Sequence, residues 1–285
     1  VTCFLESGGL YPANLNKNKA MKLSIKTLPA LFLLLPTLQA GAQTHLLNLV
    51  NKHQMKTKKV LIVVTSTSEV KSAGKKTGLW IEEFATPYYL FSARGIAVSV
   101  ASPDGGNAPI DPKSALPDYS TESVKKFFSD PVAQEKLAHT VPLGKVDPGD
   151  YDAVYYPGGT GPVWDLPENE YSIRIIESFY NNGKPTALVC HAPAALKHVK
   201  DSNGDLLVKG KKIAGYSNSE ETASQSSDMV PFSLETMLKE AGADYVKGED
   251  WHSFMVFEGN LITGQNPASS GAVAQKIIDD FSSVK

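Results

Sequence analysis

The chain is poor in cysteine: it has two, Cys3 and Cys190, in 285 residues. So few thiols exclude a disulfide framework and a cysteine-rich zinc site as sources of stability. Net charge is scarce as well. Lys and Arg number 28 against 30 Asp and Glu, a formal charge of −2. With no Lys/Arg cluster, there is no electrostatic basis for nucleic acid or a membrane surface as partner. Long hydrophobic runs are missing, the apolar stretch 28–38 being too short to span a bilayer. There is no P-loop. Gly158-Gly159-Thr160-Gly161 lacks the third glycine and the downstream acid of a dinucleotide fingerprint. His45, His53, His139, His198 and His252 show no metal-ligand spacing. Neither a metal nor a cofactor is therefore expected. Internal repeats and low-complexity segments are absent too. What is left is a globular chain, 42% hydrophobic, long enough for one large domain or two small ones.

The N-terminal region reads as processing signal rather than fold. Met21-Lys22-Leu23-Ser24-Ile25-Lys26 is a short basic start, 28–38 an apolar centre, and Ala40-Gly41-Ala42 a small-residue cleavage site. We expect a signal peptide over 21–42, the alternatives being an anchoring helix or a buried strand. Residues 1–20 are then an upstream extension of doubtful reality. The mature protein is expected to be secreted or periplasmic, without a membrane segment. Cleavage removes Cys3 and leaves Cys190 as a lone thiol, either reactive or an inert buried residue. Residues 43–57 read as a linker and 58–285 as one domain, with 102–148 inserted.

Apolar runs then alternate with helical periodicity. The β-branched run 60–66 suggests a strand buried on both faces of a parallel sheet. Residues 78–91 carry apolar side chains at helical spacing, with Pro87 as a potential kink. Strands are expected at 96–100, 151–156 and 185–190. Helices are expected at 121–137, 170–181, 191–198, 228–241 and 269–281. Hairpins are expected at 206–216, turning at Lys209-Gly210-Lys211, and at 255–263. This order means an α/β, flavodoxin-like, doubly wound, mostly parallel sheet sandwiched by helices, with hairpin additions.

In such sheets the functional crevice lies at the carboxyl ends of the strands. Cys190 and His191 stand at one such end, Gly158–Gly161 at another. A cysteine where a strand turns into a helix has a chemical logic: the thiolate is the nucleophile and a helix N-terminus favours negative charge. His191 is a candidate proton carrier. Gly159, Thr160 and Gly161 are candidates for backbone donors to a developing oxyanion or a bound substrate. Glu83 sits between apolar neighbours, where burial would raise its pKa and let it donate a hydrogen bond to a thiolate. Glu220 and Glu221 follow the segment 212–216, and either can orient His191.

Four collinear stretches carry a resemblance. They are Gly78-Leu79-Trp80-Ile81-Glu82-Glu83-Phe84, Tyr156-Pro157-Gly158-Gly159-Thr160-Gly161-Pro162, Ala187-Leu188-Val189-Cys190-His191-Ala192-Pro193 and Leu261-Ile262-Thr263-Gly264-Gln265-Asn266-Pro267. Together they resemble the ThiJ/PfpI superfamily, also called class I glutamine amidotransferase-like. The similarity lies with the branch of the heat-shock chaperone and glyoxalase III proteins, over roughly 58–283. The resemblance implies that Cys190 is the nucleophile, His191 the histidine that follows it, and Glu83 the glutamate that hydrogen-bonds the cysteine. It implies Glu221 as the acid partnering the histidine, with Glu220 one register away. It makes Gly159 and the His191 backbone N–H the oxyanion-type donors. Thr160 departs from the histidine-bearing Gly-Gly-His-Gly usual in this branch.

The function implied is conversion of methylglyoxal-like 2-oxoaldehydes to hydroxy acids without glutathione, with Glu83 as a relay. The alternatives are an amidase, peptidase or deglycase using the same Cys190–His191 pair, or a stress chaperone or redox sensor with a vestigial pocket. A small aldehyde is the expected partner, and a homodimer the expected assembly. If the helix end and His191 assist, the Cys190 thiol should titrate below its free value of about 8.5.

Overall fold

The computed structural model describes residues 57–283. The leader expected at 21–42, the extension before it and nearly all of the linker lie outside the described residues.

The chain opens with β1 (Lys59–Val63), followed by a two-residue pair, β2 (Glu69–Val70) and β3 (Lys75–Lys76). Then come α1 (Ile81–Ala93) and β4 (Ala97–Ser102). The next segment holds α2 (Glu122–Ser129), α3 (Pro131–Ala138) and β5 (Val141–Pro142). β6 (Ala153–Tyr156), α4 (Pro162–Asp165), α5 (Glu170–Asn181) and β7 (Thr186–Val189) follow. The C-terminal part comprises β8 (Lys212–Ile213), α6 (Asn218–Ala223), α7 (Leu234–Glu240), β9 (Asp244–Tyr245), β10 (Met255–Glu258), β11 (Leu261–Gly264) and α8 (Ser270–Ser283).

Seven strands form one sheet in the order β10-β11-β7-β6-β1-β4-β5. All neighbours are parallel except β10, which returns antiparallel on β11. The central strands are sealed on both faces: Val60, Leu61, Ile62 and Val63 are fully buried, as are Ala153 to Tyr156 and Ala187 to Val189. That is why they read as unbroken apolar runs rather than alternating ones. α1 packs along α8, and α5 packs near the short turn Ala192–Leu196. The sheet lies between helices, as expected, and its carboxyl edge collects the loops that carry the candidate residues.

Several elements differ from expectation. Residues 206–216 form no hairpin, because β8 pairs in parallel with β9 instead. The Lys209-Gly210-Lys211 turn exists, with Gly210 at φ +71°. The residues before it coil in turns instead, the Lys209 N–H donating to the Leu206 carbonyl and the Lys211 N–H to that of Val208, both at 3.0 Å. The helical stretch 121–137 is two helices, split where Asp130 caps the second and Pro131 starts it. The helix expected over 228–241 begins only at Leu234, after Pro231, with Ser233 as its cap. The segment after Cys190 is a short 3₁₀ turn, Ala192–Leu196, rather than a full helix. Pro87 leaves α1 unbroken. It has no N–H for the Glu83 carbonyl, and the Tyr155 hydroxyl on β6 donates to that carbonyl instead at 2.9 Å.

Candidate active site

Cys190 follows β7 directly and holds a left-handed backbone, φ +59°, which few non-glycine residues adopt. Neighbours pin it on both sides. Its N–H donates to the Gly264 carbonyl at 3.0 Å, and its carbonyl accepts the Tyr216 N–H at 2.8 Å. The strain turns Sγ toward the strand ends, into a cleft shared with His191, Gly159, Thr160 and Tyr216. Close passage of β6 is required here. A Cβ on Gly158 would lie 2.8 Å from the Cys190 Cβ and 2.8 Å from the His191 nitrogen.

His191 Nδ1 stands 3.5 Å from Cys190 Sγ, while Nε2 lies 2.7 Å from Glu221 Oε2. Burial pushes the Glu221 carboxyl up, but the His191 charge and the hydrogen bonds to it outweigh that, and the net direction is down. An ionised Glu221 accepts the Nε2 proton, which leaves the Nδ1 lone pair facing the thiol. The second oxygen, Glu221 Oε1, accepts the Ser226 hydroxyl. Ser226 contacts Ser224 at 2.6 Å, and Ser224 accepts the Tyr216 hydroxyl at 3.2 Å. The Tyr216 ring in turn lies 4.3 Å from the imidazole. Imidazole, carboxylate, two serines and tyrosine thus close a ring around His191.

Glu220 is the neighbour that does not serve the histidine. It forms a capping box with Ser217 at the start of α6 and accepts the Trp251 N–H and the Asn266 side-chain amide. Helical geometry separates the two acids: adjacent residues on a helix point about 100° apart, so only one faces His191.

Glu83 is fully buried on α1. Its Oε2 accepts the Gly158 N–H at 2.6 Å. Oε1 has no nitrogen or oxygen partner, and the side chain interacts with the Cys190 thiol. Burial raises its pKa to about 8, against the Gly158 hydrogen bond. The Cys190 thiol is pushed up as well, first by burial and next by the Glu83 charge, while the Gly159 N–H works the other way. This corrects the expected lowering. The thiol is only 3% exposed, and the turn behind it is too short to offer a helix dipole. Below about pH 8 Glu83 keeps its proton, and a protonated carboxyl beside the thiol has an O–H to donate toward the sulfur.

The glycine stretch divides its tasks. The Gly159 N–H hydrogen-bonds Cys190, and Gly159 needs its φ of +96° and its missing side chain, since a Cβ would meet the Gly78 carbonyl oxygen at 2.5 Å. Thr160 spends its hydroxyl on Thr77 at 2.5 Å while lining the cleft. Gly161 is not at the cleft as expected. Its N–H donates to the Gly78 carbonyl at 3.2 Å, which anchors the loop before α1. Asp111 and Tyr216 also line the cleft and were not anticipated. Asp111 is raised by burial and lies within electrostatic reach of His191. It comes from an irregular loop with no sequence signal, whereas Tyr216 closes the segment 212–216 that leads to Glu220 and Glu221.

Comparison with known proteins shows the family. The DJ-1/PfpI family profile matches residues 77–280. Glyoxalase 3 of Candida albicans is 30% identical over 232 residues, 78% of this chain and 98% of the relative. The glutathione-independent glyoxalase HSP31 of Saccharomyces cerevisiae is 30% identical over 234 residues, 79% of this chain and 98% of its own. Among solved structures, Rapid Encystment Protein 24 KDa from Francisella tularensis superposes with a TM-score of 0.74 at 35% identity, covering 78% of this chain and 98% of that one. Glyoxalase III from Candida albicans gives 0.72 at 30% identity, covering 78% and 96%. A strand-end cysteine with its histidine, a buried glutamate behind it and a profile match over most of the chain lead to one conclusion: the chain belongs to the DJ-1/PfpI family, in its glyoxalase III branch.

Proposed function

We propose that the protein is a glutathione-independent glyoxalase that converts 2-oxoaldehydes to 2-hydroxy acids. The observation that carries this reading is the arrangement around one sulfur. Cys190 Sγ has a proton acceptor in His191 Nδ1 at 3.5 Å, and behind it Glu221 holds Nε2 at 2.7 Å. The glyoxalases among its relatives support the same reading.

The sulfur attacks the aldehyde carbon as the thiol proton passes to His191 Nδ1. The C–S bond forms, His191 hands that proton on to the carbonyl oxygen, and a hemithioacetal results. With the thiol proton held at rest, an adjacent base is needed to take it as the bond forms, and His191 Nδ1 is that base. The Gly159 N–H and a protonated Glu83 stabilise charge at the sulfur. His191 then removes the proton from the former aldehyde carbon and returns it to the neighbouring ketone carbon, while the hemithioacetal hydroxyl gives up its proton and the ketone oxygen gains one. The product is a 2-hydroxy thioester on Cys190. Water adds to that thioester, the C–S bond breaks, and a 2-hydroxy acid leaves with the thiol restored. Oxidation at one carbon balances reduction at the next, so no external redox partner is needed.

The test is lactate formation from methylglyoxal by purified protein without glutathione. Wild type is expected to form lactate, and Cys190→Ala to fall to background. Equal rates in the two proteins would overturn the reading. A covalent acyl-enzyme formed from simple amides, without lactate from methylglyoxal, would point to a hydrolase instead.

A further inference from the structure

The cleft over Cys190 measures about 1150 Å³. Sites for drug-sized ligands occupy roughly 300–1,000 Å³, so a three-carbon dicarbonyl would leave most of this space unfilled. Resting on the glyoxalase reading, we infer that the preferred substrate is a 2-oxoaldehyde whose ketone carries a large, uncharged aromatic group, held against the aromatic lining that Trp80, Tyr119, Tyr216 and Trp251 supply.

The walls favour such a group. Trp80 and Tyr119 meet edge to face at 5.0 Å. Also lining the cleft, Tyr216 contacts Trp251 at 5.9 Å and the His191 ring at 4.3 Å. An aromatic surface therefore runs outward from the reacting atoms. Large apolar side chains are left open along the cleft: Leu116 is 51% exposed, Tyr119 39% and Trp251 49%. Apolar surface gathered in a cleft beside a nucleophile fits a ligand that completes its burial.

Trp251 also adopts a left-handed backbone, φ +65°. A bulky residue rarely sits there, and the buried Glu220 carboxylate fixes it by accepting its N–H at 2.9 Å. The fold thus holds an exposed indole in place at the cleft.

Two of the three lysines that line the cleft, Lys75 and Lys76, are ion-paired and Asp118 adds a carboxylate, which argues against an anionic substituent. Lys75 pairs with Asp228 at 2.7 Å and Lys76 with Glu69 at 2.8 Å. Glu82 accepts hydroxyls from Thr86 and Thr121, and Asp111 accepts the Lys113 N–H. Lys113 Nζ lies 5.9 Å from the Tyr119 ring.

The experiment compares kcat/KM for phenylglyoxal and methylglyoxal, read as mandelate and lactate by chromatography, with Cys190→Ala as the background. Wild type is expected to favour phenylglyoxal by roughly tenfold, the difference lying in KM, as one added aromatic contact supplies. Trp251→Ala should cut the ratio by a similar factor, and Trp251→Phe should retain most of it. Leu116→Ala, a change at an exposed loop position, gives a second reading should the Trp251 variants fail to fold. Cys190-dependent turnover of methylglyoxal with a wild-type ratio at or below one overturns this inference alone. So does a ratio that neither Trp251→Ala nor Leu116→Ala moves. No Cys190-dependent turnover of either aldehyde overturns the glyoxalase reading and this inference with it.

Discussion

Two adjacent carboxylates, Glu220 and Glu221, show how little sequence distance says about role. Glu221 holds His191 at 2.7 Å, and Glu220 closes a capping box and holds Trp251 and Asn266. Glu221→Gln should keep the contact but lose the charge that supports an imidazolium. Steady-state assays are expected to show kcat down by roughly 10²–10⁴, with the melting temperature little changed. Glu220→Ala should behave in the opposite way. It removes a cap and strands buried donors, at about 1–3 kcal/mol each for the donors, and thermal melting should register the loss. Glu83 carries a pH signature. It has to be protonated to donate toward the sulfur, and burial places its pKa at about 8. Wild-type kcat/KM is therefore expected to fall as pH rises through about 8, and Glu83→Gln, which cannot ionise, to lose that limb. A Glu83→Gln profile identical to wild type would reject this role for the carboxyl.

At the scale of elements, the site depends on how β6, β7 and α1 are tied together. Pro87 deprives the Glu83 carbonyl of its helical donor, and Tyr155 on β6 supplies one. The same residue thus anchors Glu83 through its backbone while Gly158, just past β6, binds its side chain. Tyr155→Phe should leave a buried carbonyl unsatisfied and cost about 1–3 kcal/mol by chemical denaturation. A change below half a kcal/mol would show that the proline kinks the helix enough for another donor to serve. Much of this element order was legible in the sequence, because continuous apolar strands and a 3.6-residue periodicity are local signals. The apparent hairpin at 206–216 was not, since a glycine turn says that the chain reverses without saying what it pairs with. β8 pairs with β9, over thirty residues on, while 206–211 close on themselves in turns.

For the molecule as a whole, buried acids set the pH dependence of stability. The Glu83 pKa rises from 4.5 to about 8 in the fold, and that of Asp165 from 3.8 to about 6, burial being the first cause in both. An acid with a raised folded-state pKa binds more protons folded than unfolded between the two values. Stability therefore declines as pH rises through that window, from about 4 to 8. Melting temperatures should drop across it, and Glu83→Gln should flatten the part between about 4.5 and 8. Glu221 works in the reverse sense: its pKa is lowered, so its contribution is present above the unfolded value and is lost on acidification.

Cys190 as the candidate nucleophile could be read from the sequence because a cysteine at a strand end, followed by histidine, is a local pattern. So could the family, from four stretches in one order. The doubly wound sheet followed from the alternation of apolar runs and helical spacing, which reflects burial on both faces. The tertiary structure decided the rest. It chose Glu221 over Glu220, removed Gly161 from the cleft by spending its N–H on Gly78, and added Asp111 and the aromatic walls. It also reversed the expected direction for the Cys190 thiol. These outcomes share one cause. Burial, the direction of an N–H and the distance between charges belong to the packing of segments far apart in the chain, and spacing along the chain does not encode them.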